Sequence, residues 1–145
     1  MKTNLITTLL LAATTSLLIA HSGVELGPNK GRILEFSKNE TMHGEVTVSG
    51  DKFQIALLDK DMKPVALADQ TLTAVTGDRD NPTKLEVAKG PKGFLIPVIK
   101  PGEWLILQYK DSPKAKPITA RLEYNTATCE ACSKAEWLCE CKPEK

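Results

Sequence analysis

The chain has 145 residues, with 19 Lys and Arg against 18 Asp and Glu, and only 5% aromatic residues. That length fits one domain. The near-zero charge, with no block of one sign, excludes the concentrated basic footprint that phosphate binding requires, so nucleic acid is not an expected partner.

Lys2 precedes an apolar run from Leu5 to Ala20 that is broken by Thr7, Thr8, Thr14, Thr15 and Ser16. A positive start followed by a short, hydroxyl-bearing apolar run predicts a signal peptide over residues 1–20 and no membrane span in the mature protein. Cleavage is expected before His21 or, at an equally suitable small-residue site, before Gly23. No Cys follows the apolar run, so no lipid anchor is expected there. The expected location is periplasmic or extracellular. Removing Lys2 with the leader leaves 18 basic and 18 acidic residues.

Residues 21–30 carry Gly and Pro without a period and read as an arm. Residues 31–37 form a first strand, with Leu34 and Phe36 on one side and Ile33 and Glu35 on the other. Asn39-Glu40-Thr41, within the polar connection that follows, is a glycosylation sequon with meaning only in a eukaryotic secretory route. From Met42 to Leu58 the alternation is clearest. Gly50-Asp51 separates two alternating runs and suits a two-residue type II′ turn, because Gly accepts the positive φ at its first position. The register then pairs Ser49 with Lys52, Val48 with Phe53, Val46 with Ile55 and Gly44 with Leu57. One face is apolar; the other carries Glu45, Thr47, Gln54 and Ala56, with His43 opposite Leu58. A slip of one residue would turn the apolar row outward.

Asp59 to Pro64 is a turn, followed by the short run Val65-Ala66-Leu67. Residues 71–76 make a Thr-rich strand and residues 77–82 another turn. Leu85 and Val87 alternate before the Gly90–Gly93 turn, and Phe94, Ile96 and Val98 follow. Residues 103–109 and 118–124 complete the strands. This spacing predicts an all-β, immunoglobulin-like β-sandwich of seven to eight antiparallel strands over residues 21–126, with a short Cys-rich tail over residues 127–145. Because alternation stops at Tyr124, the tail is expected to be a separate appendix.

Gly27-Pro28-Asn29-Lys30-Gly31-Arg32-Ile33-Leu34-Glu35, with His43-Gly44-Glu45-Val46 and Phe53 to Val65, resembles the small β-domain near the N-terminus of some heavy-metal efflux periplasmic adaptors (membrane-fusion proteins). The resemblance covers about residues 27–67. Asn29 and Lys30 stand where that pattern has His and Gly, and Met62 stands at its turn Gly. The heptads and lipoyl-like domain of an adaptor are missing. What the resemblance implies is a stand-alone relative of the β-domain among metal-related exported proteins.

Three constellations could carry chemistry. Cys129, Cys132, Cys139 and Cys141 lie within thirteen residues, with Trp137 between the pairs. In an oxidising compartment the first expectation is two disulfides, with a strained Cys139–Cys141 bridge disfavoured. The second is a metal, Zn²⁺ in a tetrahedral site or Cu(I) on soft thiolates, and the third is thiol exchange. His21 and His43 are the two imidazoles. If His21 is the mature N-terminus, its amine, its ring and the His43 ring could form a brace for Cu(II). Asp59 with Asp61, and Asp78 with Asp80 and Asn81, read as turn formers rather than calcium ligands. No catalytic motif is present, so the expected function is a non-catalytic exported binding module, with copper or zinc as its ligand. The alternative is an extracytoplasmic structural or interaction protein with a stapled tail and an unspecified protein partner.

Overall fold

The computed structural model describes residues 24–78 and 80–141. The expected signal peptide and His21 lie outside these residues. The described elements are β1 (Arg32–Glu35), β2 (Met42–Ser49), β3 (Lys52–Asp59), β4 (Pro64–Val65), β5 (Thr71–Asp78), β6 (Asn81–Leu85), β7 (Ala88–Gly90), β8 (Gly93–Pro97), β9 (Trp104–Lys110) and β10 (Ile118–Glu123), then a 3-10 turn at Glu136–Leu138.

The β2–β3 hairpin has the register expected from its turn: Ser49 faces Lys52, Val48 faces Phe53, Val46 faces Ile55 and Gly44 faces Leu57. Gly50 takes φ 62° at the first turn position, where a side chain would be strained.

All pairings are antiparallel and they form two sheets. One runs β1-β2-β3-β8-β7, with β4 also on β3; the other runs β10-β9-β5-β6. Without β1 and β4, the order β2-β3-β8-β7 opposite β6-β5-β9-β10 is the A-B-E-D and C′-C-F-G order of an immunoglobulin-like sandwich. Between the sheets lie Val46, Phe53, Ile55, Leu57, Phe94 and Ile96 from the first, against Leu72, Ala74, Leu105, Leu107, Tyr109 and Leu122 from the second.

Two expectations change. The Leu85-to-Val87 alternation is not one strand: β6 ends at Leu85 in the second sheet, and β7 begins at Ala88 in the first. The chain changes layers between them, and alternation continues through such a crossing because it records sidedness and not which sheet a residue joins. The expected turn over residues 77–82 is also shorter, since Gly77 pairs with Pro82 and Asp78 with Asn81 as the last rungs of a hairpin.

The outward side of the β2–β3 hairpin is partly covered. Glu45 is 1% exposed. Its carboxylate accepts from the Asn29 N–H (2.7 Å), the Asn29 Nδ2 (2.7 Å) and the Gly31 N–H (3.0 Å). Residues 27–31 are thereby folded onto the sheet, and a buried charge gains the donors it needs. On the inward face of the same hairpin Gly44 is required, because a Cβ there would lie 2.4 Å from the Phe36 ring.

Candidate metal centre

The tail leaves β10 as an irregular hairpin. The Glu136 N–H donates to Ala127 O (2.8 Å), the Cys129 N–H to Lys134 O (2.8 Å) and the Ser133 N–H to Cys129 O (2.8 Å). Thr128 and Ala135 form an isolated antiparallel bridge. Ser133, directly after Cys132, takes φ 59° and turns the chain back. The 3-10 turn Glu136–Leu138 then carries Cys139 and Cys141 across to Cys129 and Cys132.

The four Sγ atoms lie within 4.8 Å of one another. Cys129 to Cys139 is 3.2 Å, Cys132 to Cys139 is 3.7 Å, and Cys129 to Cys141 is 3.8 Å. A tetrahedral zinc with Zn–S bonds of about 2.3 Å has S···S edges of roughly 3.8 Å. The spacing therefore suits one ion held by all four thiols, and all four are free thiols rather than two bridged pairs. Cys129 and Cys139 are buried, whereas Cys132 and Cys141 are half-buried. Among the described residues, no other group of three or more His, Cys, Asp or Glu side chains is gathered closely enough to hold an ion.

Negative charge concentrates at one corner of the cluster. The Cys139 thiol, followed by the Cys132 and Ala131 backbone N–H groups, holds the Cys129 thiol down at about 7. Cys141 is pushed up to about 12 by its hydrogen bonds to Cys139 and Cys132 and by burial. Lys134 pairs with Glu140, and that carboxylate is the main reason its ammonium is held above the ordinary lysine value; charge on Cys132 and Cys139 adds to it.

Trp137 was not expected at the core. It is 6% exposed, and its ring meets Tyr124 at 5.4 Å and Phe53 at 6.3 Å between centroids. The Trp137 backbone N–H donates to Asn125 O (2.9 Å), and its backbone carbonyl accepts from Arg32 Nη1 (3.3 Å). The tail is therefore docked on the end of the sandwich through this residue. Lying outside any strand period, Trp137 gave one signal only: a large apolar side chain set between two Cys pairs.

His43 is not part of the thiol site. It is 6% exposed, with Nε2 at 3.2 Å from Glu35 Oε2 and Nδ1 at 3.3 Å from Asp59 O. A shallow depression around it is lined by Glu25, Glu35, Glu40, Lys60 and Met62. Because His21 lies outside the described residues, the expected brace is not described. Asp59 Oδ1 accepts from the Asp61 N–H (2.8 Å) and the Lys63 N–H (2.9 Å), which is turn chemistry. Lys30 and Met62, at the two positions where the adaptor pattern has Gly, both take positive φ, 63° and 58°.

No protein-family model matches the chain, and no curated protein or solved structure matches it. Among the described residues, no helix is long and apolar enough to cross a membrane.

Proposed function

We propose that the protein is an exported, non-catalytic β-sandwich module that binds one soft metal ion in its C-terminal tail. The observation that carries this reading is the gathering of the Cys129, Cys132, Cys139 and Cys141 Sγ atoms within 4.8 Å. Zinc is the first candidate, because closed four-thiolate tetrahedra are its structural sites, and such sites leave no open position for catalysis. Copper(I) is the second, since soft thiolates also select it. Export rests on the Lys2-to-Ala20 leader pattern. The resemblance of residues 27–67 to the adaptor β-domain supports a role in metal homeostasis.

The test is elemental analysis of protein purified from its exported form, with a thiol count on the same sample. One equivalent of zinc or copper that protects the four thiols from titration is the expected result. Metal-free protein with no titratable thiols, and the mass loss of two disulfides, would replace this reading with a stapled structural protein.

A further inference from the structure

The thiol cluster and the sandwich core meet in one short segment. Trp137 enters the end of the sandwich against Tyr124 and Phe53. Two residues later the Cys139 carbonyl accepts the Val24 N–H at 3.0 Å. One stretch of chain thus supplies two candidate ligands, a buried indole and the anchor of the N-terminal arm.

No regular strand pairing holds that stretch. The 3-10 turn Glu136–Leu138 has no side-chain cap, and among the described residues, beyond the isolated bridge Thr128–Ala135, the tail is joined to itself only by loop hydrogen bonds and the Lys134–Glu140 pair. Ordering each residue costs backbone entropy, and loop hydrogen bonds, exchanged against bonds to water, offset little of it. A cross-link through the four thiols closes the loop and removes most of that freedom.

We propose that metal binding at the four cysteines is the clasp that holds Trp137 in the sandwich. Loss of the ion releases the tail, uncovers Phe53 and Tyr124, and frees the arm at Val24. The clasp rests on the metal reading above. It makes the end of the sandwich a metal-responsive element: docking strengthens metal binding by the same factor by which metal strengthens docking.

The test uses the full-length reduced protein carrying Trp104→Phe, which leaves Trp137 as the one indole. Zinc is added and then withdrawn with a chelator, while bound metal and Trp137 emission are followed together. The expected emission is that of a buried indole when loaded, shifting to the red as zinc is removed. In the protein that retains Trp104, Trp137→Ala should weaken zinc binding by about tenfold or more, and Trp137→Phe should restore most of it. Circular dichroism of the sheet checks that each variant is folded. Emission that stays put between loaded and chelated protein overturns the clasp and leaves the metal site standing, as does unchanged zinc affinity in Trp137→Ala. Failure of the reduced wild-type chain to take up either zinc or Cu(I) sinks the metal reading and the clasp with it.

Discussion

The β2–β3 hairpin and the Cys tail are both reversals of the chain, yet they are held in opposite ways. The hairpin has eight paired positions and buries Val46, Phe53, Ile55, Leu57 and Leu58 at 1% exposure or less. The tail has one isolated bridge, one buried indole and four clustered thiols. Apolar area stabilises at about 25 cal/mol per Å², so the hairpin needs no cross-link. The tail buries chiefly Trp137, Cys129 and Cys139, and the clasp proposed above assigns its closure to the cysteines.

The comparison breaks most severely at Phe53, which is fully buried and touches both regions. Phe53→Ala should cost about 3–5 kcal/mol in urea denaturation. A loss of no more than about 0.5 kcal/mol, as at an exposed site, would place the ring outside the core. Truncation after Asn125 should cost less, about 2 kcal/mol, the value of burying one large side chain. The truncated chain should still unfold cooperatively. Loss of that transition would make the tail integral to the sandwich, and unchanged stability would make it a true appendix.

While its thiols stay clustered, acid and base should act on the tail from opposite sides. Cys129 is held at about 7, below its ordinary 9.0, so its contribution to stability is complete above pH 9 and is lost as pH falls through 7. Cys141 is raised to about 12, so its contribution is complete below pH 9 and is lost as pH rises towards 12. Ultraviolet titration of thiolate absorbance in metal-free protein separates two cases: a first step near pH 7 that Cys129→Ser abolishes means the thiols stay clustered without the ion, and a first step near the ordinary thiol value means the tail has been released, as the clasp requires. The smallest effect belongs to the sandwich side. Lys30→Gly relieves a φ of 63° and should add about 0.5–1 kcal/mol, since a left-handed conformation costs an L-residue roughly 1–2 kcal/mol. A loss of stability would show that the Lys30 side chain matters more than its backbone.

Strand register was legible at β2–β3 because two independent local signals, the Gly50-Asp51 turn and the apolar phase, agree. The split between β6 and β7 was not, because Leu85 and Val87 alternate straight through the crossing. Glu45 was placed on the correct face, but the loop at residues 27–31 that covers it comes from elsewhere in the chain. The four cysteines were visible as candidate ligands, but their spacing allowed disulfides, metal or exchange alike.

By itself the sequence determined sidedness: which residues of each run point inward, and hence an all-β sandwich with a Cys-rich tail. Period-two alternation is a local property and survives without knowledge of the partner strand. Tertiary structure alone decided which sheet each strand joins, that Glu45 is roofed, that Trp137 fills the end of the core, and that four thiols converge on one point. Each of those is a closure between distant segments, made by a few side chains whose spacing along the chain carries no period.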